Sequence, residues 1–332
     1  MYSIASALVL LIATLAAPLS AQEPEQFNLV ALHGAGRIVV TSEAHWDLDT
    51  FILTDHGTRP EISFKDHQKD AGLTFTIFGG GSGNSETCRS SIVDKTLENL
   101  KAFAQVQGLQ KGISKAPDKP TLALESFFLV YTGPRPVNQQ NLYAFYASAD
   151  NCAEMHVTKN AFTPADAPLF TAELARYSFD AAYQPVWQDY AALGNILYQS
   201  QRNYAAAVPF YERALDALPT NVAYTNDRRM LTDQLSMSLA VAGEYLRAYS
   251  VNELALQKDP NYAYYYYNLA CIDGEMENPI DARRHLESAF ANRSNTLPGE
   301  PLPNPANDES FQKLKRDKKF WKFVESLNPG AK

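Results

Sequence analysis

The strongest constraint on this chain is an internal repeat. Ala248 and Ala282 lie 34 residues apart, as do Ala255 and Ala289, and both pairs sit in stretches whose apolar residues recur at helical spacing. An earlier copy, marked by Ala207 and Ala214, precedes the middle one by 41 residues, and the seven extra positions fall in the polar stretch 221–228 after Pro219. Such a period accommodates one helix–turn–helix. A lone helix pair cannot bury its apolar face, so the copies must stack. Gly194, Ala207, Ala214, Ala248, Ala255, Ala270, Ala282 and Ala289 are placed where neighbouring helices approach closely, with Leu193, Leu235, Leu269 and Tyr211 filling the space between.

The copies carry further matching residues: residues 192–194 with 203–219 in the first; Leu235, Leu239, Gly243, Tyr245, Ala248 and Ala255 in the second; residues 267–271, 281–282 and 286–289 in the third. This pattern resembles the tetratricopeptide repeat (TPR) family. The resemblance implies an all-α TPR solenoid over residues 187–332, three helix pairs followed by capping helices at 308–314 and 320–324. In that family the first helix of each pair lines a concave groove that takes a partner peptide. Carried over, the groove positions are Gln188, Asn195 and Tyr198 in the first copy, Met230, Asp233, Gln234 and Met237 in the second, and Tyr264, Tyr267 and Asn268 in the third. The first copy lacks the usual glycine between its helices and is one residue longer there. Tyr264, Tyr265, Tyr266 and Tyr267 span every face of a helical turn, so at least one is expected to be exposed, as a groove anchor or beside the core. Basic side chains that clamp a C-terminal carboxylate in some family members are missing from these positions.

Residues 22–180 have a different texture. Six β-rich runs (37–41, 50–54, 73–78, 122–131, 142–147 and 152–158) surround two helical stretches, 85–107 and 164–177, the second with Thr163 as N-cap, Pro164 at its first position and Asp166 in its first turn. That order predicts an α+β sandwich joined to the array by a linker at 181–186. With the stretches 86–89, 137–141 and 152–156, it resembles the PsbP-like and DcrB-like sandwich found before TPR repeats in exported bacterial proteins. No chemistry comes with that resemblance.

The first 21 residues are almost uncharged from Ile4 to Leu19 and end in a small-residue stretch, the layout of a secretory signal peptide cut after Ala21, with an uncleaved anchor as the alternative. A periplasmic or secreted protein is expected. Export gives the cysteines meaning, because disulfides persist in oxidising compartments. Cys88 and Cys152 either pair or stay as two thiols; Cys271 reads as a small buried hydrophobe on a repeat helix.

The net charge of −8 argues against nucleic acid as partner. The basic cluster at 313–322 alternates with Phe311, Leu314, Phe320 and Phe323, as on a solvated amphipathic face. The glycine run at 79–83 lacks the following Lys-Ser or Lys-Thr of a phosphate loop and reads as a strand-to-helix turn. His33, His45, His56 and His67 have no metal-ligand spacing with Glu43, Asp47, Asp55 and Asp66, and His156 sits inside a strand. Nucleophile elbows, zinc-protease motifs and paired carboxylates are missing. The sequence therefore predicts a protein without enzymatic activity, metal or cofactor that binds a protein or peptide partner. A small-ligand or lipid carrier acting through the sandwich, or an unrecognised enzyme, are the alternatives.

Overall fold

The computed structural model describes residues 25–42, 46–55, 59–115, 120–131 and 137–327. The expected signal segment, Glu43, His45 and His56 lie outside them. The chain divides into two compact units, Ala21–Gln201 and Arg202–Lys332.

The N-terminal unit runs β1 (Glu25–Val30), β2 (Arg37–Ser42), β3 (Asp47–Thr54), β4 (Arg59–Asp66), β5 (Ala71–Gly79), α1 (Ser85–Leu100), β6 (Ala104–Ser114), β7 (Leu122–Tyr131), β8 (Val137–Ala147) and β9 (Asn151–Asn160). A 3-10 turn at Pro164–Asp166, α2 (Ala167–Arg176), β10 (Phe179–Asp180) and α3 (Trp187–Asn195) follow. Among the described residues the strands form a sheet of order β1-β2-β10 and a seven-stranded sheet of order β3-β4-β5-β9-β8-β7-β6. All the pairings are antiparallel.

Strand alternation sorts the large sheet into two faces. On one, Leu73, Phe75 and Ile77 of β5 stand beside Val157, Met155 and Ala153 of β9, and β1 and β2 pack against β5. On the other, Phe127, Tyr143, Phe145 and Cys152 meet Cys88 and Val93 of α1 in one buried cluster. Asn84 caps α1, its Oδ1 accepting from the amides of Glu86 and Thr87 at 2.9 and 3.4 Å. Cys88 and Cys152 are joined by a disulfide that ties α1 to β9, Cα atoms 5.7 Å apart. Trp46, 5% exposed, donates from its indole nitrogen to Glu173 of α2 at 3.2 Å.

Four strands arise where none was expected: β1, β4, β6 and β10. The helix expected to run to Gln107 ends at Leu100, and β6 takes the rest as an edge strand. Past Ala104 nearly every residue of β6 is exposed, so it lacks the apolar alternation that announces a strand. In β4, buried Pro60, Ile62 and Phe64 alternate with Arg59, Glu61, Ser63 and Lys65, a pattern masked by the proline and the charges. The glycine run forms the turn between β5 and α1.

The C-terminal unit is helical: α4 (Tyr204–Ala217), α5 (Thr225–Val241), α6 (Tyr245–Lys258), α7 (Ala263–Glu275), α8 (Pro279–Ala291), 3-10 turns at Pro305–Asn307 and Glu309–Leu314, and α9 (Lys318–Leu327). Each helix from α4 to α8 packs on the next, and α5 also touches α7. The close-approach alanines at 207, 214, 248, 270, 282 and 289 are all 0% exposed; Ala255 is half-buried instead. The repeat is also visible in the backbone. Arg202, Gly243 and Glu277 occupy equivalent positions, before α4, α6 and α8, and all have positive φ, +51°, +83° and +59°. The glycine missing from the first copy is thus replaced by an arginine in the same left-handed conformation, a strained choice for a side chain with a Cβ. The extra residue of the first copy is absorbed by a π turn at Ile196–Ser200, after α3. The seven extra residues of the middle copy become a 3-10 turn at Val222–Tyr224 and a longer α5.

Candidate partner-binding face

The expected groove residues of the middle and last copies fall on α5 and α7, which are neighbours. Met230, Asp233, Gln234 and Met237 are half-buried on α5. Asn268 of α7 donates from Nδ2 to Asp233 Oδ1 at 2.7 Å, so the two helices present one continuous polar–aromatic face. Burial pushes the Asp233 carboxyl up to about 6; the Asn268 bond opposes this and the nearby charge of Glu300 adds to it. Gln234 Oε1 is buried there without a hydrogen-bond partner. Gln188 is exposed on α3, Asn195 half-buried at its end, and Tyr198 half-buried in the π turn; these three belong to the N-terminal unit, where Asp189 anchors α3 by accepting from Asn28 at 2.8 Å and from the Tyr183 hydroxyl at 2.7 Å.

The α7 side of the face is covered by the chain itself. Tyr264 donates its hydroxyl to the carbonyl of Pro301 at 2.9 Å, and Tyr267 donates to Asp308 Oδ2 at 2.8 Å. Cys271 Sγ lies 3.7 Å from the same carboxylate oxygen, and Phe311 meets Tyr267 edge-on with ring centroids 6.2 Å apart. Lys313 Nζ reaches the Glu275 carboxylate at 3.0 Å and its carbonyl at 2.9 Å, closing the end of α7. Burial pushes the Tyr264 hydroxyl up to about 12, helped by Asp233 and Glu300, and raises Tyr267 further.

Two expectations are corrected. Tyr267 and Asn268, nominated to face a partner, are each 3% exposed, because residues 301–311 lie over one and Asp233 pairs with the other. None of the four consecutive tyrosines is fully exposed: Tyr265 is buried against Tyr262, with centroids 4.7 Å apart, and Tyr264 and Tyr266 are half-buried. Sequence reasoning placed a cap at 308–314 but did not extend it back over α7. Four prolines in residues 298–305, which forbid helix and favour an extended run, were the available signal. Cys271 is buried as expected.

Another polar cluster sits on the α1-facing side of the large sheet. Arg59 donates to Glu154 at 3.0 Å and to Thr76 at 3.0 Å. Burial pushes the Glu154 carboxyl up to about 7, against the pull of Arg59. His156 stacks on Tyr143 with centroids 3.8 Å apart, its Nε2 is 3.0 Å from Asn141 Oδ1, and burial pushes it down to about 3. The groups are occupied with one another, which fits a network tying β4, β5, β8 and β9 together. A cavity of 130 Å³ lies between Leu32, His33, Ile77, Phe78, Gly79 and Asn151, well below the roughly 300–1,000 Å³ of small-ligand pockets. Among the described residues no group of three or more His, Cys, Asp or Glu side chains could hold a metal ion, and no helix is long and apolar enough to cross a membrane.

No protein-family model matches this chain. Over 93 residues, 28% of its length, it is 36% identical to the TPR repeat-containing thioredoxin TTL4 of Arabidopsis thaliana, and it spans 12% of that protein. Similar solved structures include YrrB, described as a TPR protein with an unusual peptide-binding site, at 21% identity and a TM-score of 0.29, covering 34% of this chain and 54% of that one. PcrH from Pseudomonas aeruginosa is 15% identical with a TM-score of 0.29, covering 43% and 91%. The Sgt2 TPR domain from Aspergillus fumigatus is 19% identical with a TM-score of 0.31, covering 45% and 85%. Over 93 residues the chain is thus similar to a TPR repeat-containing protein, and the described sheets belong to its N-terminal part.

Proposed function

We propose that this is an exported adaptor without enzymatic activity, whose TPR-like helices bind an extended segment of another protein on the α5–α7 face. The observation that carries this reading is that a segment of the chain itself, around Pro301, lies on the α7 side of that face, held by a tyrosine hydroxyl donating to a backbone carbonyl. Side-chain-to-backbone bonds of this kind hold a peptide with little dependence on its sequence. Half-buried Met230 and Met237 offer adaptable apolar surface.

Export to the periplasm or beyond, after loss of residues 1–21, belongs to the same proposal, and the Cys88–Cys152 bridge supports it. The division into a PsbP-like or DcrB-like domain at 22–180, a linker at 181–186 and the array from 187 is part of the same proposal. The test is peptide display on the full chain against a Met230→Ala, Met237→Ala, Gln234→Ala variant of unchanged circular dichroism. Selected peptides should lose tenfold or more in affinity for the variant. Equal affinity sinks the assignment of this face.

A further inference from the structure

The partner face makes no use of the basic cluster at the C-terminal end. Residues 313–322 carry six cations and one carboxylate, a net of +5, while the rest of the chain carries 23 cations and 36 carboxylates, a net of −13. Helix α9 presents this charge on one side. Phe320 and Val324, 2% and 1% exposed, lie in one core with Phe311 and Leu314, and the Trp321 indole donates to the carbonyl of Leu314 at 3.0 Å. With that side of α9 turned inward, Lys318, Lys319 and Lys322 are left exposed, as are Lys315 and Arg316 in the turn before it.

Among the described residues no carboxylate pairs with any of these five side chains, and the acidic groups around them are engaged elsewhere. Asp317 caps α9 by accepting from the amides of Lys319 and Phe320 at 2.9 Å, and Glu275 holds Lys313 at 3.0 Å. On α8, Asp281 pairs with Arg284 at 2.7 Å and Glu287 with Arg283 at 2.9 Å. Glu277 and Glu325 stand exposed at the rim. Two exposed apolar side chains border the cluster. Ile280 is 79% exposed one turn before Arg283, whose guanidinium lies 4.8 Å over the ring of Phe323, and Met276, 47% exposed, follows Glu275.

Fixed carboxylates are recognised best by the planar fork of an ordered arginine. Four of these five cations are instead lysines, flexible point charges that no ion pair holds in place. Unordered lysines beside exposed apolar side chains suit a continuous sheet of negative charge with an apolar layer beneath it. We propose that this end of the C-terminal unit is a peripheral docking surface for a membrane rich in anionic lipid. Lys315, Arg316, Lys318, Lys319 and Lys322 meet the headgroup phosphates, while Ile280 and Met276 enter the boundary between headgroups and acyl chains. The surface needs nothing from the α5–α7 face, so each reading can fail alone.

The experiment sediments residues 22–332, without the apolar run at 4–19 that would itself enter a bilayer, with vesicles of phosphatidylcholine alone or of phosphatidylcholine and phosphatidylglycerol in equal parts. The protein should bind the mixed vesicles and not the neutral ones, and should leave them at about 1 M salt, where the screening length falls to about 3 Å. Each cation near an anionic surface changes partition about fivefold, so a Lys318→Gln, Lys319→Gln, Lys322→Gln chain should bind the mixed vesicles about a hundredfold more weakly, and a Lys315→Gln, Arg316→Gln chain about 25-fold. Ile280→Ser should weaken binding several-fold and leave the salt dependence unchanged. If the triple variant loses its native circular dichroism, the double variant carries the comparison. Native-strength binding by the charge variants, or equal binding to neutral vesicles, overturns the surface. Failure to bind the mixed vesicles also overturns it, and retention on immobilised polyglutamate in that case makes an acidic polypeptide the occupant.

Discussion

Replacing Gly274 by alanine sets two effects of known sign against each other. Gly274 lies in the last turn of α7, where alanine would ordinarily stabilise the helix by about 1 kcal/mol. An alanine Cβ, however, would stand 2.5 Å from the carbonyl oxygen of Ser310 and 2.9 Å from Phe311, where ordinary contact begins at 3.4 Å. The obstacle is backbone, so no rotamer change relieves it. The turn Glu309–Leu314 would have to retreat by nearly an ångström, lifting Phe311 and Leu314 from the core they share with Tyr267. Overpacking of this kind costs about 1–3 kcal/mol. The clash should win, leaving Gly274→Ala less stable by about 1 kcal/mol. Hydrogen exchange read by mass spectrometry on peptides from α7 and α9 reports this locally: both should exchange several-fold faster in the variant. Slower exchange would mean that helix propensity prevails and that residues 310–311 do not seat against α7 as described.

The Cys88–Cys152 bridge closes a 64-residue separation, worth about 4 kcal/mol in the chain-entropy model. Urea unfolding of a Cys88→Ala, Cys152→Ala chain should show a loss of that order confined to the N-terminal unit; a loss under about 1 kcal/mol would show the bridge to be incidental. Glu154 and His156 give opposing pH dependences. Glu154 holds its proton more tightly folded than unfolded, between its ordinary 4.5 and about 7, so its contribution falls as pH rises through that window. His156 binds its proton less tightly when folded, between about 3 and its ordinary 6.5, so its contribution is lost as pH falls. Glu154→Gln should leave the histidine slope alone, with stability rising more steeply from pH 4 to 7 than in the native chain by on the order of 3 kcal/mol, read by urea unfolding; superimposable profiles would refute the buried-acid assignment. Tyr267→Ala should cost about 3–5 kcal/mol, as a core cavity, while Tyr267→Phe loses only the bond to Asp308, about 1.5–3 kcal/mol. Thermal unfolding that ranks the two equally would place the ring outside the core.

The array was legible because its information is periodic. A 34-residue spacing of small residues states which positions touch, and alanines 0% exposed at six of the seven alanine positions follow from the need of stacked helices for close approach. Even the irregularities had a reading: one surplus residue became a π turn, and Arg202 took the left-handed backbone that glycine takes at Gly243. In the N-terminal unit, β7 was legible at Leu122–Tyr131 because its apolar run is long, whereas β6, an exposed edge, and β4, carrying Pro60, have little pattern to read.

The face itself was half legible, and the reason is general to repeats. Periodicity says on which side of a helix a residue lies; it does not say what covers that side. Asn268 of α7 reaches Asp233 of α5 at 2.7 Å, and Tyr264 and Tyr267 of α7 are covered by the chain itself. Their cover comes from residues 297–311, an aperiodic stretch held by two hydroxyl donors, half-buried Leu302, buried Pro305 and an anchoring phenylalanine. Each of those contacts is individually weak and needs the three-dimensional partner to be recognised. A buried groove tyrosine in a repeat array is therefore informative in itself: when a position that the repeat leaves open is only 3% exposed, the chain has supplied its own occupant, and the chemistry of that occupant is the first description of what the face can hold.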